Sequence, residues 1–271
     1  MALGRAGVAS SRTRVYGYLP YLRALGYRCR VRAYSLSVYH RALMGGRETF
    51  FLKLINKIYG WWVLLCFVPM AACAEVIFIQ RVLLPRWAFK IIKAVNPAVI
   101  FDFDDAIYLR NRHACRLNYI LRNAACVITT QSRFNREYAS AFSRRLEVLT
   151  TPVDTGRYFP AQGKTGGAVT IGWIGTPETS VYLLGMRDVF CGLAKKFPFL
   201  KFEFIGARQF ELSGANASFR DWRLDTELGH LMNFDIGIMP LSDDPWSRNK
   251  YYKLLQYFAL GIPAVASSVG V

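Results

Sequence analysis

Apolar positions along this chain recur in two alternating rhythms. Residues 11–26 carry them at helical spacing, and RCRVRAYSL, Arg28–Leu36, alternates as a strand does. Residues 47–74 then predict a long helix and EVIFIQ, 75–80, a buried strand. Pro85–Val95 suits a helix with proline in its first turn, and PAVIFDF, 97–103, another strand. The exchange continues through helix 112–123, strand 125–131, helix 132–142 and strand 145–150. Such alternation is the pattern of a parallel sheet with crossover helices.

TPVDTGRYFPAQGKTGG, Thr151–Gly167, interrupts the rhythm with two prolines, four glycines and no apolar period, so it reads as a linker. Beyond it come strand 168–175, helix 177–197, strand 200–206, an irregular stretch, helix 224–233, strand 234–241, helix 250–260 and strand 262–268. The expected fold class is α/β, with two Rossmann-like doubly wound domains: 1–155, a linker at 156–167, and 168–271. Ligands of such folds bind at the carboxyl ends of the strands, here in a cleft expected between the domains.

Composition narrows the partners. A chain of 271 residues, 53% hydrophobic and 15% aromatic, folds rather than staying disordered. Its net charge of +17 is uneven, since the first 60 residues hold eleven Arg or Lys against one acid, Glu48. That field favours anionic partners: nucleic acid, acidic lipid or an anionic small substrate. No RNA-recognition signature, zinc-finger spacing or basic-aromatic helix is present, so nucleic acid is not expected. The six cysteines (29, 66, 73, 115, 126, 191) form no Cys-x-x-Cys pair and the three histidines (40, 113, 230) are dispersed. The expectation is therefore no metal site, no disulfide and a reducing cytoplasm.

The N-terminus lacks a run of seven apolar residues, so no secretory signal is expected, although its Arg- and Ser-rich start weakly resembles a transit peptide. Trp61–Ala74 is apolar for fourteen residues, short of the roughly 20 of a spanning helix. It reads as a buried or interfacial helix before a core strand, with a membrane element as the alternative.

Two stretches carry candidate chemistry. VIFDFDDAIYL, Val99–Leu109, delivers Asp102, Asp104 and Asp105 to a strand end. Asp-x-Asp there resembles the start of haloacid dehalogenase-type phosphatases, with Asp102 as nucleophile and Asp104 as acid. Those enzymes continue into Gly-Thr, whereas Asp105 and Ala106 stand here, and Asp243-Asp244, the pair available as magnesium ligands, lies beyond the linker. The structural alternative has Asp102 capping or pairing with an arginine. In the second half, Gly172-Trp173-Ile174-Gly175-Thr176-Pro177 lets backbone approach a ligand, with Thr176 as cap and Pro177 at the first helical position. Arg248, Lys250 and Lys253 bracket the start of helix 250–260, with the two lysines on one helix face. They are either an anion site or a solvated basic face.

PWSRNKYYKLLQYFALGIPAVASSVGV, Pro245–Val271, resembles the donor domain of GT-B glycosyltransferases of family 4. VTIGWIGTPETSVYL (169–183) and FDIGIMPLSDDPW (234–246) fit its strand–loop–helix units. ASSRTRVYGYLPYLRALGY (9–27), VIFIQR and VIFDFDDAIY fit the acceptor domain in the same order. The resemblance implies transfer of a sugar from a nucleotide-sugar to a glycan or lipid-linked acceptor, with retention and without a cofactor or obligatory metal. Gly175, Thr176, Arg248, Lys250, Lys253 and Gln256 would bind the donor, and Asp104 and Asp105 would orient acceptor hydroxyls or steady charge on the reacting sugar. A placement at the inner, anionic face of a membrane suits the basic first half.

The chain departs from the pattern in four places. Arg248 and Gln256 occupy the positions of the family's paired glutamates, and Trp173 and Thr179 those of an Arg and a Lys on the diphosphate. The first acceptor-domain strand is unrecognisable in MALGRAGV, and the donor domain is expected to be incomplete after Val271. These departures sustain a second expectation, a GT-B-like binding protein without turnover.

Overall fold

The computed structural model describes residues 1–44, 47–160 and 167–271, so residues 161–166 of the expected linker lie outside the described residues. Two compact units, Met1–Thr151 and Pro152–Gly270, divide the chain.

The first unit holds α1 (Ala9–Arg14), α2 (Leu19–Ala24), α3 (Ser37–Met44) and α4 (Phe50–Ala72), followed by β1 (Ile77–Gln80), α5 (Arg86–Val95) and β2 (Val99–Asp102). Then come α6 (Asn111–Asn123), β3 (Cys126–Thr129), α7 (Arg133–Ser140) and β4 (Leu146–Val148). The strands form one parallel sheet in the order β1-β2-β3-β4, with Gln80 level with Asp102 and Asp102 level with Ile128. Ile79, Phe89, Phe101, Leu117 and Val127 are fully buried where α5 and α6 close over this sheet. Parallel strands covered on both faces need continuous apolar runs, and IFIQ and VIFD supply them.

Two expectations are corrected here. Residues 28–36 form no strand; one isolated parallel bridge joins Ala33 to Ala2. Arginines at 28, 30 and 32 make one side of that run wholly cationic, which a covered parallel strand cannot bury. Met1–Leu3 instead run beside β1: the Met1 amino group donates to Phe78 O and Gln80 N donates to Met1 O at 2.8 Å. The helix expected over 11–26 breaks at Val15 into α1, a 3-10 turn Tyr16–Tyr18 and α2, because Gly17 and Pro20 both disfavour continuous helix.

The second unit carries β5 (Thr170–Ile174), α8 (Val181–Leu184), α9 (Arg187–Lys196), β6 (Lys201–Ile205), β7 (Asn216–Arg220), α10 (Glu227–Leu231), β8 (Ile236–Met239), α11 (Tyr252–Ala259) and β9 (Ala264–Ala266). Its sheet is parallel in the order β7-β6-β5-β8-β9. From β5 the chain moves outward to β6 and β7, then returns to build β8 and β9 on the other side. The switch point lies between β5 and β8, where open α/β sheets take their ligands. β7, at an edge, falls in the stretch expected to be irregular; NASFR has only Ala217 and Phe219 to mark it.

Helix 177–197 is also divided, into a 3-10 turn Pro177–Ser180, α8 and α9, with the break at Gly185–Met186. Lys250 is extended (φ −89°, ψ 132°) and precedes α11, so Lys250 and Lys253 share no helix face.

Candidate functional site

At the switch point of the second unit, β5 and β8 pair only through Ile171–Ile236 and Gly172–Gly237. Beyond that the two strands part, and the Tyr257 hydroxyl fills the fork, accepting from Ile174 N and donating to Ile238 O, both at 3.3 Å. Tyr257 is fully buried, and burial pushes its phenol well above the ordinary range. Gly237 lets it enter: a Cβ there would lie 2.5 Å from the Tyr257 ring. The opening between the strand ends is therefore held apart by one side chain of α11, which the sequence analysis did not single out.

Gly175 and Thr176 leave β5 at this opening. Thr176 N donates to Thr179 Oγ1 at 3.1 Å in a capping box between the two threonines, and Thr179 N donates to Thr176 O at 2.9 Å to close the turn. A Cβ at Gly175 would lie 2.3 Å from Trp173 Cη2, so only glycine lets the indole turn back under the loop. Trp173 is wholly buried and its Nε1 has no hydrogen-bond partner among the described residues.

Over that indole sits Lys253, its Nζ 4.0 Å from the ring centroid. The ring attracts the cation through its negative face, an interaction worth about 0.5–2 kcal/mol. Burial, followed by the neighbouring Lys250, nevertheless lowers the Lys253 pKa to about 7. Among the described residues no carboxylate pairs with it. The indole at 173 thus occupies the position of an expected cation and cradles another cation from α11.

Gln256 is buried one turn further along α11. Its Nε2 donates to Glu227 Oε1 and to the Tyr158 hydroxyl, each at 3.2 Å. Tyr158 donates to Glu227 Oε1 and Trp222 Nε1 to Glu227 Oε2. A buried carboxylate, 1% exposed, thus stands beside the glutamine where the resemblance implies a glutamate. Glu227 was missed because, after Thr226, it looks like an ordinary first-turn acid. Tyr158, expected in the linker, is buried in the second unit's core.

Arg248 pairs with Asp243 at 3.0 Å, exposed to solvent. Asp244 does structural work: its Oδ1 accepts from Trp246 N at 2.8 Å and Ser247 N at 2.9 Å, and Ser247 Oγ donates to its Oδ2 at 2.7 Å. The two aspartates are thus engaged in shaping the loop that leads into α11.

In the first unit, Asp102 is buried and gripped by Arg14, whose Nε lies 3.0 and 2.9 Å from the two carboxylate oxygens while Nη2 donates to Oδ1. Arg14 Nη1 donates to Leu149 O at 2.9 Å and Thr151 Oγ1 at 3.1 Å. Burial pushes the Asp102 carboxyl up to about 6 against the pull of Arg14. With both oxygens held, Asp102 is no free nucleophile, which removes the footing of the phosphatase reading. Arg81, the one non-glycine residue with positive φ (58°) among those described, reaches Asp105 at 2.8 Å and Asp104 at 3.6 Å. Asp104 Oδ1 is buried and accepts no hydrogen bond among the described residues. Arg81 is held in a strained backbone state by this pairing and by Arg81 N donating to Asp102 O at 2.8 Å.

No family model matches this sequence, and no curated protein matches it either. Solved structures do. A glycosyltransferase from Rickettsia africae superposes with a TM-score of 0.63 at 13% identity, over 97% of this chain and 77% of that one. Anabaena HepE, solved with UDP, gives 0.57 at 15% identity, over 77% of this chain and 64% of that one. The pneumococcal O-GlcNAc transferase GtfA, solved with UDP and GlcNAc, gives 0.51 at 8%, over 76% and 45%. The chain spans less than two thirds of the length of HepE and of GtfA. It has the α/β fold of the GT-B glycosyltransferases, built from two Rossmann-like units.

Proposed function

We propose that this chain is a glycosyltransferase that moves a sugar from a nucleotide-sugar to a glycan or lipid-linked acceptor, with retention. The observation that carries the proposal is Lys253, a half-buried ammonium without a carboxylate partner among the described residues, poised over Trp173 where β5 and β8 diverge. Cleaving the bond between the sugar and the diphosphate leaves negative charge on the departing oxygens, and a fixed cation in a partly dry site stabilises it. Lys253 meets that charge, with Lys250 and Arg248 nearby along the chain and the Gly175–Thr176 backbone alongside. Gln256, backed by Glu227, takes the ribose hydroxyls. Asp104 and Asp105 orient the acceptor hydroxyl that forms the new bond to the sugar carbon, or steady positive charge there.

Calorimetry with UDP tests the donor site. Lys253→Ala weakens binding at least about tenfold, as expected for a lost charge-assisted contact of about 1.5–3 kcal/mol. Because the free Lys253 pKa is about 7 and a bound diphosphate raises it, affinity falls as pH rises above 7 and binding at pH 8 takes up a proton. Unchanged affinity in Lys253→Ala overturns the donor site. UDP binding without UDP release from any UDP-sugar in an acceptor panel favours the turnover-free reading that Arg248 and Gln256 motivate.

A further inference from the structure

The face of α4 that points away from the protein is as apolar as the face that is buried. Gly60, Val63, Leu64, Phe67 and Ala71 line the buried side. On the opposite side Phe51, Leu54, Ile58, Trp61, Trp62 and Leu65 follow helical spacing, and Phe51 and Leu65 are each 74% exposed. The stripe continues onto α5, where Trp87 stacks on Trp61 at 5.1 Å between ring centroids and Ile91 and Val95 are exposed in turn.

At 23 residues, with a mean hydropathy of 1.4 over its best window, α4 is long and apolar enough to cross a bilayer. Its inner face forbids that arrangement, because crossing would strip Val63, Leu64 and Phe67 from the core they share with Ile79 and Phe89. A helix with one face in its own core and the other bare fits the plane of an interface.

Charge identifies what covers it. Between Thr49 and Phe101 the chain has one acid, Glu75, against Lys53, Lys57, Arg81, Arg86, Lys90 and Lys93. Lys57 on α4 and Arg86 and Lys90 on α5 are exposed beside the apolar stripe. A second copy of the chain would set these cations against their own kind, whereas anionic headgroups neutralise them. We infer that the joint face of α4 and α5 inserts in the plane of an anionic lipid surface, with Leu54, Ile58, Trp61 and Leu65 in the acyl boundary and Lys57, Arg86 and Lys90 at the phosphates. This goes beyond the proposed chemistry and does not depend on it.

Sedimentation with vesicles of phosphatidylcholine, alone or mixed equally with phosphatidylglycerol, tests the inference on the whole chain. The protein pellets with the mixed vesicles, at least about tenfold more tightly than with the neutral ones, and the tryptophan emission shifts to the blue. Ile58→Lys with Leu65→Lys, both at exposed positions, loses binding at least about tenfold while the thermal unfolding curve is unchanged. Lys57→Glu with Lys90→Glu loses only the preference for anionic vesicles. Three results overturn the inference: no binding to the mixed vesicles, binding that ignores the Ile58 and Leu65 changes, or a concentration-dependent dimer that those changes dissolve and vesicles do not compete for.

Discussion

The two units hold their central charges in opposite ways. In the first, Arg14 closes on Asp102 and Arg81 on Asp105, so the two cations at the strand ends are neutralised inside the fold. In the second, Lys253 rests on an aromatic ring and no carboxylate compensates it among the described residues. Neutralised pairs position a loop and a strand end; an uncompensated cation waits for an anion from outside. The difference is the one the proposed donor site requires: Lys253 keeps its charge for an incoming anion, whereas Arg14 has its charge paired inside the fold.

The largest effect should come from breaking the neutralised pair. Arg14→Ala leaves the Asp102 carboxylate buried without its partner and frees Leu149 O and Thr151 Oγ1 from their donor. A cost of about 3–5 kcal/mol is expected, read in urea unfolding followed by circular dichroism. Arg14→Met combined with Asp102→Leu should recover most of that loss, since a buried ion pair contributes little over a well-packed apolar pair. If the double variant is as unstable as the single one, the pair specifies local geometry rather than merely cancelling charge.

A middle-sized effect sharpens the comparison from the other side. Gln256→Glu sets a second carboxylate about where Nε2 now lies, 3.2 Å from Glu227 Oε1. Two like charges so close cannot both ionise, so the folded pair takes up a proton above the usual carboxylate range. The penalty is present above that raised pKa and relieved as pH falls through it. The variant should lose about 1–3 kcal/mol at pH 8 and regain most of it near pH 5, measured by unfolding at both pH values.

Much of the fold was legible because its central strands are continuous apolar runs bounded by turns. β1, β2, β5 and β8 all follow that rule. Arg28–Leu36 misled because period-2 alternation suits a strand with one wet face, and alternating arginines offer no second face to bury. Asn216–Arg220 was missed for the converse reason: an edge strand needs few apolar residues. At the site, the need for glycine at 175 was legible but its cause was not, because the Trp173 ring folds back onto it only in three dimensions. Lys253 was recognised as a candidate, yet what makes it unusual comes from an indole eighty residues away. Glu227 left no signal, since burial of an acid depends on Tyr158, Trp222 and Gln256 arriving from three separate segments.

The smallest effect has the opposite sign to the first and separates the two designs most cleanly. Removing a neutralised cation should destabilise, whereas removing an uncompensated one should stabilise. The folded Lys253 pKa of about 7 lies below the ordinary lysine value of 10.5, so the folded state binds fewer protons than the unfolded chain between those pH values. The charge therefore costs stability in full below pH 7, and the cost fades as pH rises towards 10.5. Lys253→Met removes the cost and keeps most of the packing on Trp173, but it forfeits the cation–π attraction, and partial exposure of the lysine reduces the gain further. A net gain of about 1 kcal/mol, or about 2 °C in Tm, is expected at pH 6.5, shrinking towards zero by pH 10. Scanning calorimetry at both pH values checks it. A loss of stability at pH 6.5 would mean that Lys253 is held by the fold as firmly as Arg14, and the contrast between the two units would fail.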